Sequence, residues 1–159
     1  MTTHARARRL PPPAWMVLGL LAQRRLAAGS RPTRASRVLA GGVAGASLGL
    51  AGWAVGSFRR HDTTVDPLAP ERASHLVADG AFQTTRNPMY VGMAGVLLAH
   101  AVARRSVAGL VPLAGFVLVI SRTQIAAEER AMAANFGPDW EAYAATTPRW
   151  VGLRSLGSA

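Results

Sequence analysis

The chain has no cysteine and no lysine. Without cysteine, disulfides and thiolate metal sites are excluded. Without lysine, all 18 basic residues are arginines, whose long stems can lie on apolar surface while the charged end reaches water or a phosphate. Aromatic residues make up only 6% of the chain, and they do not interleave with the arginines. The base-stacking platform of a nucleic-acid surface is therefore missing, and the formal net charge of +10 is better matched to lipid head groups. Acidic residues number only eight, and none lies in an apolar run. His61, Asp62 and His75 show no recognised ligand spacing, so no metal site is expected.

What is abundant is apolar sequence: half of the 159 residues are hydrophobic. Charge and hydrophobicity are segregated into alternating blocks, which predicts a single all-α domain, an integral membrane helical bundle of about four transmembrane helices with a C-terminal cytoplasmic helical segment. Residues 1–11 form a basic tail. Pro12 to Ala22 is apolar but short for a span, and a helix continuing to about Ala28 carries Arg24 and Arg25 near its end. Leu10 to Ala22, after a basic start, resembles a signal-peptide core, yet Pro11 to Pro13 and Gln23-Arg24-Arg25 fit neither an h-region nor a cleavage site, and it is read as retained.

Val38 to Phe58 is the clearest span, about 21 residues without a charge. Its glycines include the ladders Gly41, Gly45, Gly49 and Gly52, Gly56, a pattern that predicts close helix packing within or between chains and leaves the oligomeric state open. Arg59 to Thr85 is polar and long for an idle connector. Pro88 to Ala103 and Val107 to Ser121 then form a hairpin turned at Arg104-Arg105-Ser106. Arg122, Ile125, Glu129, Met132 and Phe136 recur at helical spacing, so the second leg should project beyond the bilayer until Gly137-Pro138 stops it. A short helix around Asp139 to Ala145 should follow. Trp140, Tyr143 and Trp150 suit a membrane interface.

With four spans, the N-terminus, the Arg59–Thr85 segment and the C-terminus share one side. That side carries all the acidic residues and 11 of the 18 arginines. Its expected position is the cytoplasmic face, in the plasma (inner) membrane of a bacterium.

The stretch Arg86-Asn87-Pro88-Met89-Tyr90-Val91-Gly92 marks the passage from polar to apolar sequence. Pro88 is favoured in a first helical turn and Asn87 is a good N-cap. The positive end of the helix, beside Arg86 and Tyr90, is suited to a carboxylate.

Taken in order, His75-Leu76-Val77-x-x-Gly80-x-Phe82, Arg86-Asn87-Pro88-x-Tyr90-x-Gly92, the hairpin, Glu128-Glu129, Phe136-Gly137, Trp140, Tyr143 and Pro148 resemble the integral-membrane methyltransferases of the isoprenylcysteine carboxyl methyltransferase and phospholipid N-methyltransferase type. The resemblance covers residues 38–150. The eukaryotic carboxyl methyltransferases carry His where this chain has Asn87, so a titrating imidazole is absent at that position.

The resemblance implies an S-adenosylmethionine-dependent methyltransferase. Its cofactor-binding residues would be His75, Leu76, Val77, Gly80, Phe82, Arg86, Asn87, Pro88, Tyr90, Gly92, Glu128 and Glu129. Asn87 and Glu129 are positioning candidates, and Arg122, Tyr143 and Arg149 are candidates on the substrate side. The implied partners are the lipid bilayer and a lipophilic methyl acceptor, with no nucleic acid. On their own, adjacent glutamates on a helix leaving a membrane are usually a solvated face. Two other readings stay open on the sequence: a membrane reductase of the sterol-reductase type using NADPH, and a small non-catalytic membrane protein.

Overall fold

A computed structural model describes residues 10–28, 30–60 and 74–151. The basic tail through Arg9, and His61, Asp62, Asp66 and Glu71 of the polar segment, lie outside the described residues. Among those described, all regular structure is helical. The elements are α1 (Pro12–Leu26), α2 (Arg34–Arg60), a 3-10 turn (Gly80–Gln83), α3 (Pro88–Ala103), α4 (Leu110–Ile120), α5 (Ala126–Phe136) and α6 (Pro138–Thr146). A single π-helical turn, Ser121–Ile125, joins α4 to α5, making one continuous helix from Leu110 to Phe136.

Two helices, Arg34–Arg60 and Leu110–Phe136, are long and apolar enough to cross a membrane, and Pro88–Ala103 is a shorter apolar helix. Large hydrophobic side chains such as Val17, Leu21, Leu39, Leu48, Val111 and Leu118 point outward, as expected of a membrane bundle whose solvent is hydrocarbon. At 15 residues α1 is shorter than the roughly 20 residues that a full crossing needs.

The helices run alternately up and down. At one end of the bundle, Ser36 Oγ, near the start of α2, donates to Ala103 O at the end of α3 (3.1 Å). Gln23, near the end of α1, reaches the same end of the bundle. Its amide nitrogen donates to Leu97 O (2.9 Å) and Gly109 O (2.7 Å), and its oxygen meets His100 Nδ1 at 3.0 Å. Because the amide uses both hydrogens on carbonyls, its oxygen is the acceptor and His100 carries its proton on Nδ1. Gln23 is fully buried, and it ties the short α1 to the α3–α4 hairpin with hydrogen bonds that lipid cannot replace.

The glycine ladder of α2 does not pack against the rest of the chain. A Cβ added at Gly41, Gly45, Gly49 or Gly52 would meet nothing within 4 Å, so the expected packing role within the chain is corrected. α2 turns Ser47, Ala51 and Ala54 toward α3, and the glycines that permit close approach belong to α3. A Cβ at Gly92 would lie 2.8 Å from Ser47 O, and one at Gly95 would lie 2.0 Å from Ser47 Oγ. The hairpin turn is also longer than expected: Gly109 N donates to Ser106 O and Oγ, both at 3.1 Å, and α4 starts at Leu110 instead of Val107.

Two apolar clusters pack the described helices together. Tyr90, Leu97, Phe116, Ile120 and Ile125 form the first, with Trp15, Met93 and Trp150 packed on it. Ala54, Val77, Ala81 and Phe82 form the second, closed by Phe58, Met89 and Tyr143. Phe58 and Phe82 meet edge to face at 5.1 Å.

Candidate functional site

The site grows from the junction of three pieces of chain. Segment 85–87 enters α3, α5 leaves the apolar belt, and 147–150 returns after α6. Backbone pairing docks the last against the first: Arg86 N donates to Pro148 O (2.9 Å). Side chains add to it, with Thr85 Oγ1 and Asn87 Nδ2 both donating to Arg149 O at 2.9 Å. Asn87 thus occupies the N-cap position of α3 without capping it. Its amide faces the returning chain instead, which corrects the capping expectation.

Arg86 is the centre of the junction. Nη1 donates to Ala144 O (2.6 Å) and Thr147 O (2.9 Å), so the guanidinium satisfies carbonyls at the C-terminal end of α6, where a cation is favoured. Nη2 donates to Glu129 Oε1 (2.9 Å), and the face of the group lies 5.6 Å from the centre of the Trp140 ring. Nε is buried and has no hydrogen-bond partner among the described residues.

Glu129 also receives Arg149, whose Nε lies 3.0 Å from Oε1 and whose Nη2 donates to Oε2. One carboxylate therefore bridges two guanidiniums, that of Arg86 shielded from solvent and that of Arg149 partly exposed. The neighbouring Glu128 takes different partners. It accepts from Tyr90 OH (2.5 Å) and from Gln124 Nε2 (3.0 Å). Arg86, Asn87, Tyr90, Glu128 and Glu129, separated by about forty positions in sequence, thus meet at one end of the bundle. The reason is topological: the hairpin brings α5 back to the face that α3 left.

The remaining candidates are placed as follows. Val77 and Phe82 are buried in the second apolar cluster, Leu76 is half-buried and His75 is exposed. Pro88 is buried in the first turn of α3. Gly80 has φ +56°, and a Cβ there would lie 3.0 Å from Trp53 Nε1. The close approach at Gly80 and Gly92 is therefore to α2. Tyr143 donates to Phe82 O (2.7 Å), clamping α6 onto the 3-10 turn. Burial holds its phenol above the usual range, against the opposing effect of Arg86, so it stays a protonated donor. Arg122 is exposed, away from the Glu129 cluster. Trp140, Tyr143 and Trp150 all take part in docking. Trp150 Nε1 donates to Ser121 Oγ (3.0 Å), inside the π-helical turn.

Sequence reasoning missed Gln124, Ser121, Thr85 and Gln23. Gln124 had a usable signal, since it lies four residues before Glu128 on one helix face. The others depend on contacts more than twenty residues distant in sequence. No group of three or more potential metal ligands occurs among the described residues.

A family model described as phospholipid methyltransferase matches residues 36–139, more than half of the chain. The chain belongs to this family. It is a membrane methyltransferase, and the match decides between methyl transfer and the reductase or non-catalytic readings that the sequence alone left open. The matched region of this methyltransferase runs from the start of α2 to the start of α6 and includes both halves of the motif, the hairpin and Glu128-Glu129. Members of the family generally use S-adenosylmethionine. No curated protein and no solved structure gives a significant match.

Proposed function

We propose that this methyltransferase binds S-adenosylmethionine at the junction of α3, α5 and the 147–150 segment, and transfers its methyl group to a lipophilic acceptor from the bilayer. The observation that carries the reading is the convergence of Arg86, Asn87, Tyr90, Glu128 and Glu129. The residues fit the cofactor's amino-acid end. No side chain caps α3, so its positive end can receive a carboxylate. Arg86 Nε is a buried donor without a partner among the described residues, and the Arg149 side chain is 41% exposed beside Glu129. Glu128 and Glu129 offer carboxylates for an ammonium group or ribose hydroxyls.

When bound, the cofactor supplies a methyl group activated on a sulfonium, so the protein's tasks are alignment and exclusion of water. Glu129 orients the Arg86 and Arg149 guanidiniums. Tyr90 and Gln124 fix the rotamer of Glu128. Arg149 O, held by Thr85 and Asn87, and Trp150, held by Ser121, close the returning chain over the start of α3. The site lies at the end of the bundle where α1 begins and the 147–150 segment returns, and we place that end in the cytoplasm on the acidic residues and arginine bias of the sequence.

The test is calorimetric titration of S-adenosylhomocysteine and, separately, NADPH into detergent-solubilised protein. Saturable binding of the first and none of the second is expected. Binding of NADPH alone would overturn the proposal.

A further inference from the structure

A concave site lies beside the Glu129 junction and shares with it only Gln124, which bonds Glu128. A groove of about 410 Å³ separates the beginning of α1 from the α4–α5 helix. Leu10, Trp15 and Ile120 form one wall, and Arg122, Gln124 and Arg130 form the polar end. Three observations define what it fits. First, no carboxylate lines the groove, and neither arginine makes an ion pair among the described residues, while both are exposed. Second, Glu128, the nearest acid on the same helix face as Gln124, has Oε1 engaged by Tyr90 and Gln124. An ammonium group entering the groove would meet two guanidiniums and no carboxylate in its lining. Third, the apolar wall lies where α1 begins and α4 ends, so the two arginines stand at the level where the chain leaves hydrocarbon for water. That is the depth of a lipid phosphate.

We infer that this groove binds an anionic membrane lipid. The headgroup phosphate would lie between Arg122 and Arg130, with an acyl chain along Leu10, Trp15 and Ile120. Arginine suits the role, because its planar fork of donors matches phosphate oxygens. Such a lipid would brace α1 against the π-helical turn that carries Gln124. The inference concerns lipid binding and does not depend on the methyltransferase reading.

Trp15 in the groove wall provides the readout. The full chain is reconstituted in phosphatidylcholine nanodiscs doped with brominated phosphatidylglycerol, or with brominated phosphatidylcholine at the same fraction. Tryptophan quenching is then measured. Comparison with Trp15→Phe assigns the quenching to this position. Brominated phosphatidylglycerol is expected to quench Trp15 at far lower mole fraction than brominated phosphatidylcholine. Each arginine contributes about fivefold, from roughly 1 kcal/mol per basic residue at an anionic surface. Arg122→Gln with Arg130→Gln should therefore reduce the preference about 25-fold. Arg37→Gln, at the opposite end of the bundle, should leave it intact. Equal quenching by the two lipids would overturn the inference, and so would a preference that survives the double substitution. Titration of S-adenosylhomocysteine into the same double variant should match the parent, which separates failure of this site from failure of the cofactor site.

Discussion

Replacing Glu129 with Gln tests the central cluster most directly. The carboxylate accepts from Arg86 Nη2 and from Arg149 Nε and Nη2. Gln keeps the shape but presents only one oxygen, and its NH2 group must face a guanidinium. With its oxygen in the Oε1 position Gln still accepts from Arg86 Nη2 and Arg149 Nε, and Arg149 Nη2 loses its acceptor. Arg86 has the smaller loss, since the carbonyls of Ala144 and Thr147 still hold it. Arg149, 41% exposed at its side chain, can recover hydration. The cost is then close to one charge-assisted hydrogen bond discounted for exposure, about 1.5–2 kcal/mol. For a chain of this size that lowers Tm by about 3–8 °C. Arg149→Met should have a similar effect, and the double variant should fall short of additivity by about 1–2 kcal/mol. Loss of guanidinium orientation should also weaken S-adenosylhomocysteine about tenfold, the equivalent of 1.4 kcal/mol. Scanning fluorimetry and calorimetric titration read the two effects separately. A lowered Tm with unchanged affinity would make Glu129 a docking group only. Unchanged Tm together with additive variants would refute the cluster argument itself.

Gly95→Ala should destabilise by about 1–3 kcal/mol, because its Cβ would collide with Ser47, whereas Gly45→Ala and Gly49→Ala should leave the melting temperature unchanged or slightly raised; equal losses at Gly95 and Gly45 would contradict the assigned faces of α2 and α3. Gln23→Leu removes two donors and one acceptor from a buried site and should cost about 1–3 kcal/mol, read as earlier thermal unfolding and faster hydrogen exchange at the hairpin turn; unchanged exchange at Gly109 would argue against the staple. Gly137 ends α5 at φ +49° and ψ −120°, a conformation that strains any residue with a Cβ. Gly137→Ala should therefore cost about 1–3 kcal/mol and loosen α6, seen as increased proteolysis after Phe136; protection equal to the parent would show that α6 docks independently of this turn.

The amino-acid sequence by itself determined the helical class and most of the element boundaries. Long apolar runs bounded by arginines leave few alternatives when every backbone polar group in lipid must be satisfied within its own helix. It also determined that Arg86 and Glu129 share one end of the bundle. Pro88 starts one leg of the hairpin, Arg104-Arg105 turns it, and helical spacing carries the second leg out to Glu129, so matched lengths place Glu129 beside Arg86 without knowledge of any contact. The family resemblance is likewise a property of the sequence, because it rests on the order and spacing of motifs along the chain and on no contact between them.

Only the tertiary structure decided which partner each polar group takes. Asn87 had two possible roles, capping α3 or bonding elsewhere, and the returning Arg149 carbonyl selected the second. Arg86 satisfies the end of α6, a helix much further along the chain, which no local pattern encodes. The glycines of α2 show the same limit from the packing side. Spacing reveals that they share a face, but which face meets α3 depends on the rotation of the helix about its axis. That rotation is set by where Ser47 and Ala51 find room against Gly92 and Gly95. Gln23 is the clearest case: in sequence it is a polar residue beside two arginines, and only the fold buries it among the carbonyls of Leu97 and Gly109, where the absence of competing water makes those hydrogen bonds necessary.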